Sequence, residues 1–128
     1  DLPRLSGAGA WCGPAAELSR FIASIDGMPH VKDILSKKSI QFMTTEQPDH
    51  QYSIGWNYTP KSNRPWIRTG SLAGTSALVL KYPDGQCWIL ITNTSTWKGH
   101  GFSNDSMAFF EKLRQKYMPG MPKKDLFI

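Results

Sequence analysis

Three features of the chain predict an α+β fold. Two apolar runs, 77–82 and 88–92, flank a Pro83-Asp84-Gly85 turn and read as a β-hairpin. An extended segment from Trp66 leads into the first run through small residues. Helical periodicity lies at both ends of the chain, with antiparallel strands between. That order predicts a single domain built on an antiparallel sheet of about three strands, with helices packed on it.

The first twelve residues are rich in glycine and small side chains and read as a loop lying close to other backbone. Pro14 suits the first turn of a helix. Leu18, Phe21, Ile22 and Ile25 then recur at i, i+3, i+4 and i+7 as one apolar stripe, and Gly27 with Pro29 closes the helix. Ser36 is placed to cap a shorter helix whose Ile40 and Met43 face inward. Residues 44–50, with Pro48, form a connector. Tyr52-Ser53-Ile54-Gly55-Trp56 alternates as a strand does, and 57–65 is a turn-rich loop. In the hairpin, nearly continuous apolar runs predict strands at least partly covered on both faces, with glycine taking the positive φ of the turn. The chain loosens through Lys98-Gly99-His100-Gly101. Ser103 or Asn104 then caps a last helix carrying Phe110, Leu113 and Tyr117, and Pro119 and Pro122 stop it. The tail at Leu126-Phe127-Ile128 is expected to dock.

The 128 residues suffice to bury roughly two-thirds of the unfolded surface. With 40% hydrophobic and 20% charged residues, the chain fits a folded globular protein and not a disordered one. No apolar run approaches the ~20 residues of a membrane-spanning helix, so no span is expected. The chain opens on Asp1-Leu2-Pro3 without Met, and upstream sequence is expected. A net charge of +5 would draw nucleic acid only if concentrated on one face. Lys37-Lys38 and Lys123-Lys124 are isolated pairs, so no nucleic-acid partner is expected. Cys12 and Cys87 lack CxxC or Cys/His ligand spacing, and free thiols are expected over a disulfide.

His30, His50 and His100 all fall in expected loops with no second ligand at i+2 or i+4, so neither a metal nor a cofactor is expected. The carboxylates are dispersed, and no Gly-x-Ser-x-Gly elbow occurs. Trp11, Trp56, Trp66, Trp88 and Trp97 read as core and core-edge packing. The one chemically pointed segment is Arg68-Thr69-Gly70-Ser71. On an extended strand its basic side chain and hydroxyl point to opposite faces. Glycine lets another group approach the backbone, and free N–H groups at such an edge can donate to an anion or a carbonyl oxygen. Taken alone, the tetrapeptide reads more simply as a basic surface residue before a glycine bend.

Its setting resembles a known family. Arg68-Thr69-Gly70-Ser71-Leu72-Ala73-Gly74-Thr75 and the strand after it are similar to the Lys/His-Thr/Ser-Gly strand of the serine β-lactamase and penicillin-binding-protein superfamily. The class C β-lactamase and esterase-like branch, which often reads His-Ser-Gly-Ser-Leu-Pro-Gly-Thr here, is the nearest. Gly9-Ala10-Trp11 through Phe21 resembles that branch's "Gly-Gly-Trp, small residues, Asp-Leu-Ala-Arg-Phe" segment. Ile34-Leu35-Ser36 through Met43 resembles its Ile-Leu-Ser-x-x-Ser-x-x-x-Met helix, and Tyr52 to Trp56 its Tyr-Gly-Leu-Gly-Trp strand. The four stretches keep the family order and cover residues 7–117.

The resemblance implies the C-terminal portion of a transpeptidase-like fold in an extracytoplasmic serine hydrolase. Such a parent acts on amides or esters, for example β-lactams or peptidoglycan peptides. The family roles would fall on Arg68 and Thr69, which orient a substrate carboxylate, on Gly70, which permits close approach, and on the Ser71 N–H, which forms half an oxyanion hole. Arginine keeps the family's positive charge at 68 but exchanges protons less readily than lysine or histidine. The family's Ser-x-x-Lys nucleophile and Tyr-x-Asn motif lie upstream of the matched region, so no catalytic nucleophile or base is assigned and the chain alone is expected to be inactive. The alternative is a non-catalytic ligand-binding or interaction domain on the same fold. Without the family's N-terminal strands, the edge at 88–92 is expected to be covered by a second copy, by the N-terminal segment or by the tail.

Overall fold

The computed structural model describes residues 9, 11–45, 53–57, 65–72, 74–94 and 100–121. The elements run α1 (Ala15–Ala23), α2 (Lys37–Thr44), β1 (Trp66–Leu72), β2 (Thr75–Lys81), β3 (Cys87–Thr92) and α3 (His100–Tyr117), then a 3-10 turn at Met118–Gly120. The three strands form one antiparallel sheet in the order β1-β2-β3, giving the expected α+β architecture. The chain divides into two compact units, Asp1–Ser95 and Thr96–Ile128.

Pro14 sits one position before the expected first turn, as the extended N-cap of α1, with its carbonyl accepting from the Leu18 N–H. The helix ends at Ala23, not near Gly27. Ser24 ends it: its hydroxyl donates to the Phe21 carbonyl at 2.7 Å, and its own carbonyl accepts from Ile34. The chain then turns so that Asp26 points inward, with Gly27 at φ 75°. The apolar stripe is narrower than expected. Ile22 is buried and Leu18 partly so, whereas Phe21 is 53% exposed.

Ser36 caps α2 by accepting from the Ser39 N–H at 3.1 Å, and Ile40 is buried. Residues 53–56 are not a strand. They form an isolated Ser53–Trp56 bridge, because Gly55 takes a φ of 85° and bends the chain back on itself. Tyr52 lies outside the described residues, as do His50, Trp97, Pro122 and the tail at 126–128.

The register pairs Arg68 with Val79 and Gly70 with Ala77, then Val79 with Ile89 and Lys81 with Cys87. Opposed residues share a face, so Trp66, Arg68, Val79, Lys81, Cys87 and Ile89 lie on one side of the sheet. There Ile22 and Trp56 pack with Val79, flanked by Leu18, Trp66, Cys87 and Ile89. Leu78 and Leu80 are fully buried on the opposite side, so β2 is covered on both faces as expected. The turn after β2 closes with the Gly85 N–H on the Tyr82 carbonyl and the Tyr82 N–H on the Gln86 carbonyl. Among the described residues, no strand lies beyond β3, whose Ile91 is 46% exposed.

In the second unit, α3 begins at His100, so Ser103 and Asn104 lie inside it and are not its caps. Gly101 did not stop the helix. A glycine costs a helix only about 1 kcal/mol, and least where the helix begins. Ser106 and Phe110, one turn apart, are buried, whereas Tyr117 is 51% exposed. Pro119 sits in the 3-10 turn that ends the element.

Candidate functional site

Arg68, Thr69, Gly70 and Ser71 form the middle of β1. Alternation places Arg68, Gly70 and Leu72 on the face that carries Val79, and Thr69 and Ser71 on the other. The covered part of that face lies toward Trp66 and Lys81. Arg68, Gly70 and Leu72 are exposed. Among the described residues, Arg68 makes no ion pair.

The edge of β1 is defined by its hydrogen bonds. Hydrogen-bonded pairs alternate along an antiparallel ladder. The groups at Ile67 and Thr69 face away from β2, because the Ile67 carbonyl accepts from the Asn57 N–H at 2.8 Å and the Thr69 N–H donates to Asn57 Oδ1 at 2.9 Å. The same alternation turns the Ser71 N–H outward. Thr69 Oγ1 lies 3.4 Å from Asn57 Oδ1, at the long limit of a hydrogen bond. A strand edge with an arginine on one face, hydroxyls on the other and an outward N–H between can receive a carboxylate together with a carbonyl oxygen.

Gly70 sharpens this picture. Its φ is not positive, and a Cβ added there would meet only Ala77 Cβ, at an ordinary 3.9 Å. Neither backbone conformation nor packing against the described residues demands glycine. In a strand interior glycine costs roughly 0.5–1 kcal/mol relative to alanine.

A second polar cluster lies toward the other end of the same face. Lys81 Nζ, 5% exposed, sits 2.6 Å from Asp26 Oδ2, 3% exposed, and donates to the Gly85 carbonyl at 2.8 Å. Asp26 Oδ1 accepts from the Met28 N–H at 2.8 Å. Cys87 lies opposite Lys81 in the register, and burial raises its thiol from 9.0 to about 11. Lys81 opposes that shift and Asp26 adds to it. The thiol holds its proton at neutral pH, and Cys87 packs, partly buried, against the core cluster. Neither cysteine is in a disulfide, and Cys12 is exposed. The cluster ties the segment after α1 to the end of the hairpin, and among the described residues no buried side-chain nitrogen or oxygen lacks a partner.

Sequence reasoning missed Asn57, Asp26 and Lys81. Asn57 carried no signal beyond its place at the start of a turn-rich loop. Lys81 did carry one: a lysine inside an apolar strand run must find a buried acid. Trp56 and Trp66 meet edge to face at 5.3 Å, in keeping with a packing role, whereas Trp11 is 86% exposed. The ring of the exposed His30 approaches Gly85, and His100 lies in a helix and not in a loop. Among the described residues, no three His, Cys, Asp or Glu side chains gather to hold a metal, and no helix is long and apolar enough to cross a membrane. No protein-family model, curated protein or solved structure matches the chain.

Proposed function

We propose that the edge of β1 is one wall of an acyl-transfer site, and that the chain is the C-terminal portion of a serine hydrolase similar to β-lactamases and penicillin-binding proteins. The observation that supports this reading is Gly70, exposed between Arg68 and the outward N–H of Ser71 and required neither by backbone conformation nor by packing against the described residues. Arg68 holds a substrate carboxylate, and Thr69, bonded to Asn57, fixes the strand beside it. Ser71 donates its N–H to the oxygen that gains charge as the acyl carbon is attacked. Gly70 keeps the approach open. The serine nucleophile, its lysine and the second oxyanion donor come from sequence preceding these residues, which also supplies a strand beside β3, where the described sheet ends. Without that partner, the edge invites self-association.

Two measurements test the reading. The coding sequence upstream of Asp1 is expected to contain Ser-x-x-Lys followed by Tyr-x-Asn; a stop codon or an unrelated domain there contradicts it. The chain alone, incubated with a chromogenic β-lactam and an activated ester, is expected to show no turnover above background.

A second reading rests on the exposure of Arg68. A non-catalytic domain would use the same arginine to hold a carboxylate ligand without chemistry, and the upstream sequence separates the two.

A further inference from the structure

Asn57 engages β1 as a neighbouring strand would. Its main-chain N–H donates to the Ile67 carbonyl at 2.8 Å, and its side-chain Oδ1 accepts from the Thr69 N–H at 2.9 Å. These are the two groups that one residue of an adjoining parallel strand would take with its own N–H and C=O. Asn57 supplies the donor from its backbone and the acceptor from its side chain, so a single residue stands in for a fourth strand. It is well anchored for this. Trp56, immediately before it, is 6% exposed and meets the Trp66 ring edge-on at 5.3 Å, and Gly55 at φ 85° turns the chain onto β1.

On the reading of β1 as an acyl-site wall, we propose that Asn57 is the positioning residue of that wall. By occupying Ile67 and Thr69, it makes the Ser71 N–H the first donor on this edge open to a ligand. This matters because a two-residue slip along a strand keeps every side chain on its own face. Side-chain alternation alone therefore cannot tell a ligand registered on Ser71 from one registered on Thr69, roughly 7 Å away. Occupancy of the edge can. With Thr69 taken, a carbonyl pairs at Ser71, and the ligand has one register relative to Arg68.

Residue-resolved amide exchange of the 128-residue chain tests this without any ligand. Asn57→Ala keeps the main-chain bond to Ile67 and removes the acceptor of Thr69. Thr69 exchange is expected to rise about tenfold or more, with Val79 and Leu80 unchanged. Asn57→Asp keeps an acceptor, so Thr69 stays protected and its amide resonance follows the titration of the introduced carboxyl. Unchanged Thr69 exchange in Asn57→Ala overturns the proposal. Should that variant fail to fold, a Thr69 resonance in Asn57→Asp that ignores the carboxyl's titration overturns it instead. A second arm adds N-acetylglycine. Wild type is expected to respond at Ser71 and not at Thr69, and Asn57→Ala at both. A response at Thr69 in wild type contradicts the positioning role. No response at any amide of β1 counts against the acyl-site reading while the exchange result still stands.

Discussion

At the scale of single residues, the buried ion pair of Asp26 and Lys81 is the contact whose loss has the largest consequence. Both side chains are at most 5% exposed, so neither charge can turn to water when its partner is removed. Lys81→Met is expected to destabilise the fold by about 3–5 kcal/mol in denaturant unfolding, because it leaves the Asp26 carboxylate uncompensated. Replacing both residues by apolar ones of similar volume is expected to recover most of that loss, since the desolvation cost of the pair disappears with it. Cys87 gives a pH signature at the same place. Its thiol is raised from 9.0 to about 11, so the folded state holds the proton more tightly than the unfolded chain. The associated stability is fully present below pH 9 and is lost as pH rises from about 9 through about 11. Alkylation at pH 8 is expected to modify exposed Cys12 well before half-buried Cys87; equal rates for the two thiols contradict its raised pKa and partial burial.

At the scale of elements, two features were readable because they depend on near neighbours. The Ser36 cap needs only the Ser39 N–H three residues on, and Ser36→Ala is expected to cost about 1 kcal/mol by thermal unfolding. The β2–β3 turn needs only proline at its first corner and a glycine free to take a φ of 93°. What was not readable depends on distant partners. The end of α1 follows from Ser24 bonding to Phe21 and from Asp26 reaching Lys81, 55 residues away along the chain. The alternation at 52–56 suggested a strand, yet Gly55 folds it into a bridge. The candidate site shows the same division. Arg68 to Ser71 could be named from an extended segment, but the capping of Thr69 by Asn57 spans twelve residues and left no periodic trace.

At the scale of the whole molecule, the sheet has two unlike edges. Asn57 occupies part of the β1 edge, whereas β3 ends the described sheet with Ile91 exposed and no charge between Cys87 and Thr92. An edge without charges or proline invites pairing. The proposal that an upstream strand belongs there predicts concentration-dependent self-association of the 128-residue chain in sedimentation velocity, reduced by Ile91→Lys. A monomer at every concentration contradicts it. The central claim, however, is that β1 is built to receive a carboxylate at Arg68 and an acyl carbonyl oxygen at Ser71, and backbone amide mapping during an N-acetylglycine titration tests it most directly. The account predicts shifts centred on Arg68 and Ser71, abolished in Arg68→Gln and weakened in Gly70→Ala, which folds at least as stably as the parent because, among the described residues, only Ala77 lies near the added methyl. Shifts that persist unchanged in Arg68→Gln, or that fall elsewhere on the molecule, would contradict it.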